Sequence, residues 1–189
     1  AAIERFGPES LIQTQLGFAH YLLNDKDRAL EQFQREAKII ESFDHPHIVQ
    51  MKGRFRAFRS FFIVLEYCDG VSLDVALQDK GALPLAEFRR VVGQLASALA
   101  YAHDHKVVHR DVKPSNIMML PGDEPVLIDF GLAVTDAHGH SESPGVIAGT
   151  PGFMSPEQAA GKSHRIDGRT DIYSLGLVLY EMLAFRRPS

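Results

Sequence analysis

The sequence predicts an α+β fold in two lobes: a small lobe of sheet and helix, then a larger, mainly helical one. Three observations predict it. Leu30, Phe33, Ala37, Ile40 and Phe43 recur at helical spacing, with Asn24 and Asp25 placed to cap the start. Two strand-like runs follow, at 48–55 and 61–67, separated by a basic, turn-capable stretch. Beyond Tyr67 the pattern turns helical.

Taken in order, Ile3 to Phe6 reads as the end of a strand, broken by Gly7-Pro8. The helix from Ala29 to Phe43 is stopped by His45-Pro46. The two strand runs then read as an antiparallel hairpin. Leu85, Phe88, Val91, Val92, Leu95 and Leu99 mark one face of a long amphipathic helix. Short apolar runs at 107–108 and 126–128 flank charged residues. Residues 141–156 hold three Pro and three Gly and read as a loop. From Asp171 to Phe185 the chain is almost wholly apolar after its first residue, which predicts a buried helix. The change of character near Asp69-Gly70 divides the chain into an expected small lobe, 1–68, and a large lobe, 69–189. A cleft between two such lobes is a common seat for a ligand.

Composition narrows the classes of function. With 189 residues, 45% hydrophobic, the chain is long enough to bury a sizeable core without disulfides or metals. Its 24 acidic residues against 20 Lys and Arg leave a net charge of −4, which offers no general attraction to nucleic acid or acidic lipid. The single cysteine, Cys68, excludes an internal disulfide framework and suits a reducing, cytoplasmic setting. No apolar run approaches the roughly 18 residues of a membrane span, and the N-terminus carries no signal-peptide pattern. A membrane anchor elsewhere is left open.

The chemistry is concentrated in His109-Arg110-Asp111-Val112-Lys113-Pro114-Ser115-Asn116, which sets an acid, a lysine and an amide two and three residues apart. Asp129-Phe130-Gly131 comes thirteen residues after Asn116, directly behind the apolar run at 126–128. Ser155-Pro156-Glu157 follows the loop. Alone, Asp111 reads as a solvated loop acid and Asp129 as a cap or turn residue. As an ordered set they resemble the signature of protein kinases: H-R-D-x-x-x-x-N, D-F-G and a variant of A-P-E.

That resemblance implies a two-lobed protein-kinase-like fold and ATP-dependent transfer of phosphate to Ser or Thr hydroxyls of proteins. Phosphoryl transfer asks the protein mostly for positioning and charge neutralisation. The resemblance makes Asp111 the acceptor of the substrate hydroxyl's proton and places Lys113 over the transferring phosphate. Asn116 and Asp129 become hard oxygen ligands for Mg²⁺, with Mn²⁺ as an alternative. Lys113 together with Gly149-Thr150 resembles enzymes directed at serine or threonine, with the Thr150 hydroxyl helping to hold the catalytic loop. "REAKIIESFDHPHIV" looks like the family's C-helix and following strand, so Glu36 would pair the ATP-binding lysine. Leu65 would guard the back of the adenine pocket, Glu66, Tyr67 and Cys68 would form the hinge, and Met118 would join the nucleotide site. Ile40, Met51, His109 and Phe130 match the family's stacked regulatory column, which is equally ordinary core packing. Arg110 before Asp111 is the pattern of kinases switched by loop phosphorylation, with Thr135, Ser141, Ser143 and Thr150 as available hydroxyls. Asp171 matches the aspartate that holds the catalytic loop from below. "GTPGFMSPEQ" and "HRDVKPSN" resemble bacterial serine/threonine kinases in particular, with self-association or trans-autophosphorylation in scope.

The pattern also breaks. No G-x-G-x-x-G occurs, and Ala1-Ala2-Ile3-Glu4, continued by Pro8-Glu9-Ser10-Leu11, resembles the family's V-A-I-K strand with Glu4 at the lysine's place. A carboxylate there repels phosphates and Glu36. The chain stops soon after the apolar helix, and the arginine that normally pairs the glutamate at Glu157 is missing. The expectation is therefore a kinase domain truncated at both ends, with weak or no activity as it stands. The alternative is a pseudokinase acting as a binding or scaffolding module. A small-molecule phosphotransferase is disfavoured by the long loop and the Ser-Pro-Glu segment.

Overall fold

The computed structural model describes residues 10–14, 37–57, 60–130, 151–161 and 166–185. Within them the chain forms an α+β fold with two three-stranded antiparallel sheets. The first sheet joins β1 (Ser10–Thr14), β2 (Met51–Ala57) and β3 (Ser60–Glu66), with β3 in the middle. The runs predicted at 48–55 and 61–67 are this β2–β3 hairpin, whose register pairs Phe55 with Phe62 and Met51 with Leu65. Two boundaries shift. Ile48 leaves the hairpin and bridges Leu127 instead, because the backbones of His47 and Val49 pair with that residue. The strand beside β3 is Ser10–Thr14, whose first residues the sequence suggests only as a continuation from Ile3; Glu4 itself lies outside the described residues.

Helix α1 is described over 37–41, the end of the helix predicted from Ala29. It stops before Phe43, four residues short of Pro46's ring, and Arg54 of β2 ties to its last residue, Glu41, at 3.0 Å. The second sheet consists of β4 (Val71–Ser72), β5 (Ile117–Leu120) and β6 (Glu124–Leu127). Around it lie α2 (Leu73–Lys80), α3 (Leu85–Asp104), α4 (Pro156–Ala159) and α5 (Gly168–Ala184), with 3₁₀ turns at Pro114–Asn116 and Pro151–Phe153. The stripe predicted on α3 is the buried one: Val91, Leu95 and Leu99 are sealed, and Ala98 and Ala102 complete the face.

One core runs through both sheets, from Ala37, Ile40 and Ile63 through Leu73, Leu95 and Ile117 to Val178 and Met182. The last helix, predicted as buried, is covered within this chain on one side. Only one stripe of α5 is covered, by α3 and the Pro151–Phe153 turn, while Ile172, Tyr173, Tyr180 and Leu183 face outward. Among the described residues no helix is long and apolar enough to cross a membrane.

Candidate active site

Residues 107–116 carry no helix or strand before the Pro114–Asn116 turn, so their backbone groups must be satisfied from elsewhere. Asp171, in the first turn of α5 and fully buried, does this. Its Oδ2 accepts from the His109 N–H at 2.8 Å and its Oδ1 from the Arg110 N–H at 2.7 Å. The His103 ring adds a third contact to Oδ2 at 2.7 Å through Nε2. On the other side, Gln158 of α4 donates its amide to the Arg110 carbonyl at 2.7 Å. These bonds hold Arg110 in the left-handed region, φ 67°, a strained conformation that an isolated loop would not keep.

His109 is completely buried and its partners fix its tautomer. Nδ1 accepts from the Asp111 N–H at 3.3 Å, so Nε2 carries the hydrogen and donates to the Ile128 carbonyl at 3.0 Å. The ring also lies 4.6 Å from that of Phe130. One histidine thus links the catalytic loop to the strand end that precedes Asp129. Ile40, Met51, His109 and Phe130, the four column residues, are all buried.

The loop turns its chemistry to one place. Asp111 Oδ2 receives the Asn116 amide at 2.9 Å and the Lys113 ammonium at 2.6 Å, and the same amide donates to the Asp111 carbonyl at 2.9 Å. Asn116 is nearly buried, and with both amide hydrogens facing Asp111 its Oδ1 is the arm turned elsewhere. Its backbone carbonyl accepts from the Ile128 N–H at 3.0 Å. Because β5 and β6 pair Ile117 with Leu127, Asn116 at the start of one strand and Asp129 beyond the end of the other meet at the same hairpin end. Asp129, half-buried, also has a positive φ of 61°. For a non-glycine residue this marks a constrained position.

Mg²⁺ takes oxygen ligands, usually one or two from protein with phosphates and water completing the shell. One carboxylate at Asp129 and one amide oxygen at Asn116 fit that need. Among the described residues no group of three or more His, Cys, Asp or Glu is placed to hold a metal ion.

The predicted nucleotide residues sit at the end of β3 and in the segment after it. Leu65 is buried, Glu66 is exposed with Lys52 3.6 Å away, and Met118 of β5 is half-buried opposite Ser72 and Val126. Burial, then Glu66, pushes the Cys68 thiol above its ordinary range, so it stays a neutral thiol. Glu36 and Thr150 lie outside the described residues, as do the loop hydroxyls Thr135, Ser141 and Ser143.

Four residues escaped the sequence reading. Gln158 left a signal, since Ser155-x-x-Gln158 is a capping-box pattern and both of its bonds form. His103 shows no signal beyond a histidine on a helix. Gly168 is required because a Cβ there would lie 2.7 Å from the His103 Nδ1, and Gly70 because one would lie 2.3 Å from the Met119 carbonyl. Glu157 accepts from the Thr170 hydroxyl at 2.6 Å, a bond that holds its carboxyl below the usual range.

An aspartate with a lysine and an amide on its carboxylate shares one hairpin end with a second aspartate. The chain belongs to the protein kinase family: the family's model, protein kinase domain, matches residues 19–189. It is 38% identical over 178 residues to serine/threonine-protein kinase pkn3 of Myxococcus xanthus, covering 89% of this chain and 32% of that protein. It is also 38% identical over 162 residues to serine/threonine-protein kinase PknB of Mycobacterium leprae, covering 82% and 26%. The fold matches that of Rad53 residues 1–466, crystallised with AMP-PNP, at a TM-score of 0.72 and 24% identity, over 95% of this chain and 41% of that one. The chain spans about a third or less of the length of these curated relatives.

Proposed function

We propose that this chain is the ATP- and Mg²⁺-dependent core of a protein serine/threonine kinase. The observation that carries the reading is the gathering of Asp111, Lys113, Asn116 and Asp129 at the start of β5 and just past the end of β6. Asp111 accepts the proton of a substrate hydroxyl and aims its oxygen. Lys113, already beside that carboxylate, offsets the charge that develops on the phosphoryl group. Asn116 and Asp129 hold the metal, which when bound neutralises phosphate charge. Leu65, Glu66, Cys68 and Met118 line the adenine side, with Glu36 and Thr150 carried over from the family pattern. The lobes divide at 68/69.

Arg110 supports a loop-phosphorylation reading. Its Nε is buried with no hydrogen-bond partner among the described residues, a costly state for a cation that a loop phosphate would relieve. Ser141 and Ser143 are the favoured hydroxyls, and modification in trans between copies suits them. The free thiol of Cys68 supports a cytoplasmic setting.

Four functional side chains bonded or placed in one cluster favour chemistry over a scaffolding role. Phosphoamino-acid analysis of a generic protein substrate incubated with Mg·ATP tests the assignment. Phosphoserine and phosphothreonine, abolished by chelation, are expected; phosphotyrosine, or labelling that survives chelation, overturns it.

A further inference from the structure

The catalytic loop and the segment 151–161 meet at one side chain. Gln158 of α4, half-buried, is bonded at both ends of its amide. Its Nε2 donates to the Arg110 carbonyl at 2.7 Å, and its Oε1 accepts from the Ser155 N–H at 3.1 Å. A carbonyl only accepts and a backbone N–H only donates, so these partners fix which way the amide points. The fully buried Ser155 closes the turn, its hydroxyl accepting from the Gln158 N–H at 3.4 Å.

The group that Gln158 holds leads directly into Asp111. Between Arg110 and Asp111 lies one rigid peptide plane, with the Arg110 oxygen at one end and the Asp111 N–H at the other. The N–H end rests on His109 Nδ1 at 3.3 Å, a long bond. The oxygen end rests on Gln158 at 2.7 Å, a short one, and among the described residues nothing else donates to that oxygen. The plane follows a residue with φ of 67°, whose own N–H is pinned by Asp171. For a residue with a side chain, such a conformation persists only while its surroundings over-determine it. Asn116 and Lys113 grip Asp111 from its far side, through its carboxylate and carbonyl. The direction in which the chain enters Asp111 is left to the plane, and the tighter end of the plane belongs to Gln158.

We propose, resting on the kinase reading of Asp111, that Gln158 is a positioning residue for phosphoryl transfer. It orients the peptide that leads into Asp111, and so the carboxylate that takes the substrate's proton. Gln158 stands one place beyond the Ser-Pro-Glu that matches A-P-E, so no letter of that pattern assigns it. Its segment is itself seated on α5, where Ser174 donates to the Phe153 carbonyl at 2.8 Å and Thr170 to Glu157 at 2.6 Å. Helix α5 thus reaches the catalytic loop by two routes, directly through Asp171 and through the segment that carries Gln158.

Gln158→Glu tests the proposal, because the replacement has the same shape and keeps an oxygen for the Ser155 N–H. Its other oxygen faces the Arg110 carbonyl, and two acceptors repel. Ser155→Ala is the counterpart: it removes the hydroxyl from the cap and leaves both side-chain bonds of Gln158 in place. Nitrogen-15 spectra and melting curves are taken of the longest available form of this protein and both variants without nucleotide. Phosphate transfer from Mg·ATP to a serine-containing protein is then timed for all three.

Expected are a slowly exchanging hydrogen on the Gln158 amide of the parent and an Asp111 backbone amide that moves in Gln158→Glu but not in Ser155→Ala. The kcat of Gln158→Glu falls by roughly 10–100-fold while KM for ATP stays within about twofold, the pattern of a misplaced catalytic group. An Asp111 amide that stays still in Gln158→Glu, equal movement in Ser155→Ala, or a parental kcat overturns the proposal. A lower melting temperature with Asp111 unmoved makes Gln158 a helix cap only and overturns it too. Should Gln158→Glu not fold, Gln158→Met, close in shape and without a donor, takes its place in every comparison. Should the parent transfer no phosphate, the kinase reading fails by itself, and the Asp111 amide still decides whether Gln158 orients the loop.

Discussion

The two faces of α5 differ in this chain, which spans a third or less of its curated relatives: one is covered and the other open. The face turned inward carries Thr170, Asp171 and Ser174, all buried, beside Leu175, Val178 and Met182. The face turned outward carries Ile172, Tyr173, Tyr180 and Leu183, with Tyr173 still 44% exposed. Exposed apolar residues are common and say little singly, whereas a buried charge demands partners. Each buried polar group on α5 has one: Asp171 holds the catalytic loop, Thr170 donates to Glu157, and Ser174 donates to the Phe153 carbonyl at 2.8 Å. The inward face thus does two things: Leu175, Val178 and Met182 belong to the core, and the three buried polar residues beside them each bond to a neighbouring segment.

Substitutions can break that contrast, beginning with Asp171→Ala. It strands the His109 and Arg110 N–H groups in the interior, each costing about 1–3 kcal/mol. We expect a fall in unfolding free energy, read by urea titration, on the order of 3 kcal/mol and, in addition, loss of any phosphotransfer. Gly70→Ala is next. It costs more than Gly168→Ala, because its methyl would lie 2.3 Å from the Met119 carbonyl oxygen and backbone yields less readily than a side chain. In Gly168→Ala the methyl must displace His103, and we expect a net loss of about 1 kcal/mol, read by the same titration, after the modest gain from helix propensity. On the outward face, Ile172→Thr is expected to stay within about 0.5 kcal/mol. A loss there as large as at Asp171 erases the distinction between the faces.

Acid should show the same asymmetry. The Thr170 bond holds Glu157 below its ordinary carboxylate range, so its contribution is present above about pH 4.5 and is lost as pH falls through the folded value. Thr170→Val removes that acid-dependent part, visible as a flatter melting-temperature profile below pH 5.

Much of this was legible in the sequence. The H-R-D-x-x-x-x-N and D-F-G letters singled out Asp111, Lys113, Asn116 and Asp129, and the structure brings these residues to one hairpin end. Helical periodicity located α3, and the apolar run located α5. What periodicity could not supply was context. The apolar residues of α5 gave no sign of which stripe would be covered, and Ile48 sat in a strand-like run until its pairing with Leu127 was seen. His103 was silent because it meets Asp171, sixty-eight residues away, and Gly168 because it packs against His103 of another helix; a contact between distant segments leaves no local pattern. Gln158 was readable as a capping residue, but not as the donor that holds Arg110.

The most direct test of the central claim compares phosphate transfer from labelled Mg·ATP to a serine-containing protein by the longest available form of this protein and by its Asp111→Asn variant. Asparagine keeps the shape and can still meet Asn116 and Lys113, but it cannot take a proton. The account predicts a rate lower by roughly 10²–10⁴-fold in a variant that melts within a few degrees of the parent. Equal rates from the two would remove Asp111 from the chemistry and contradict it.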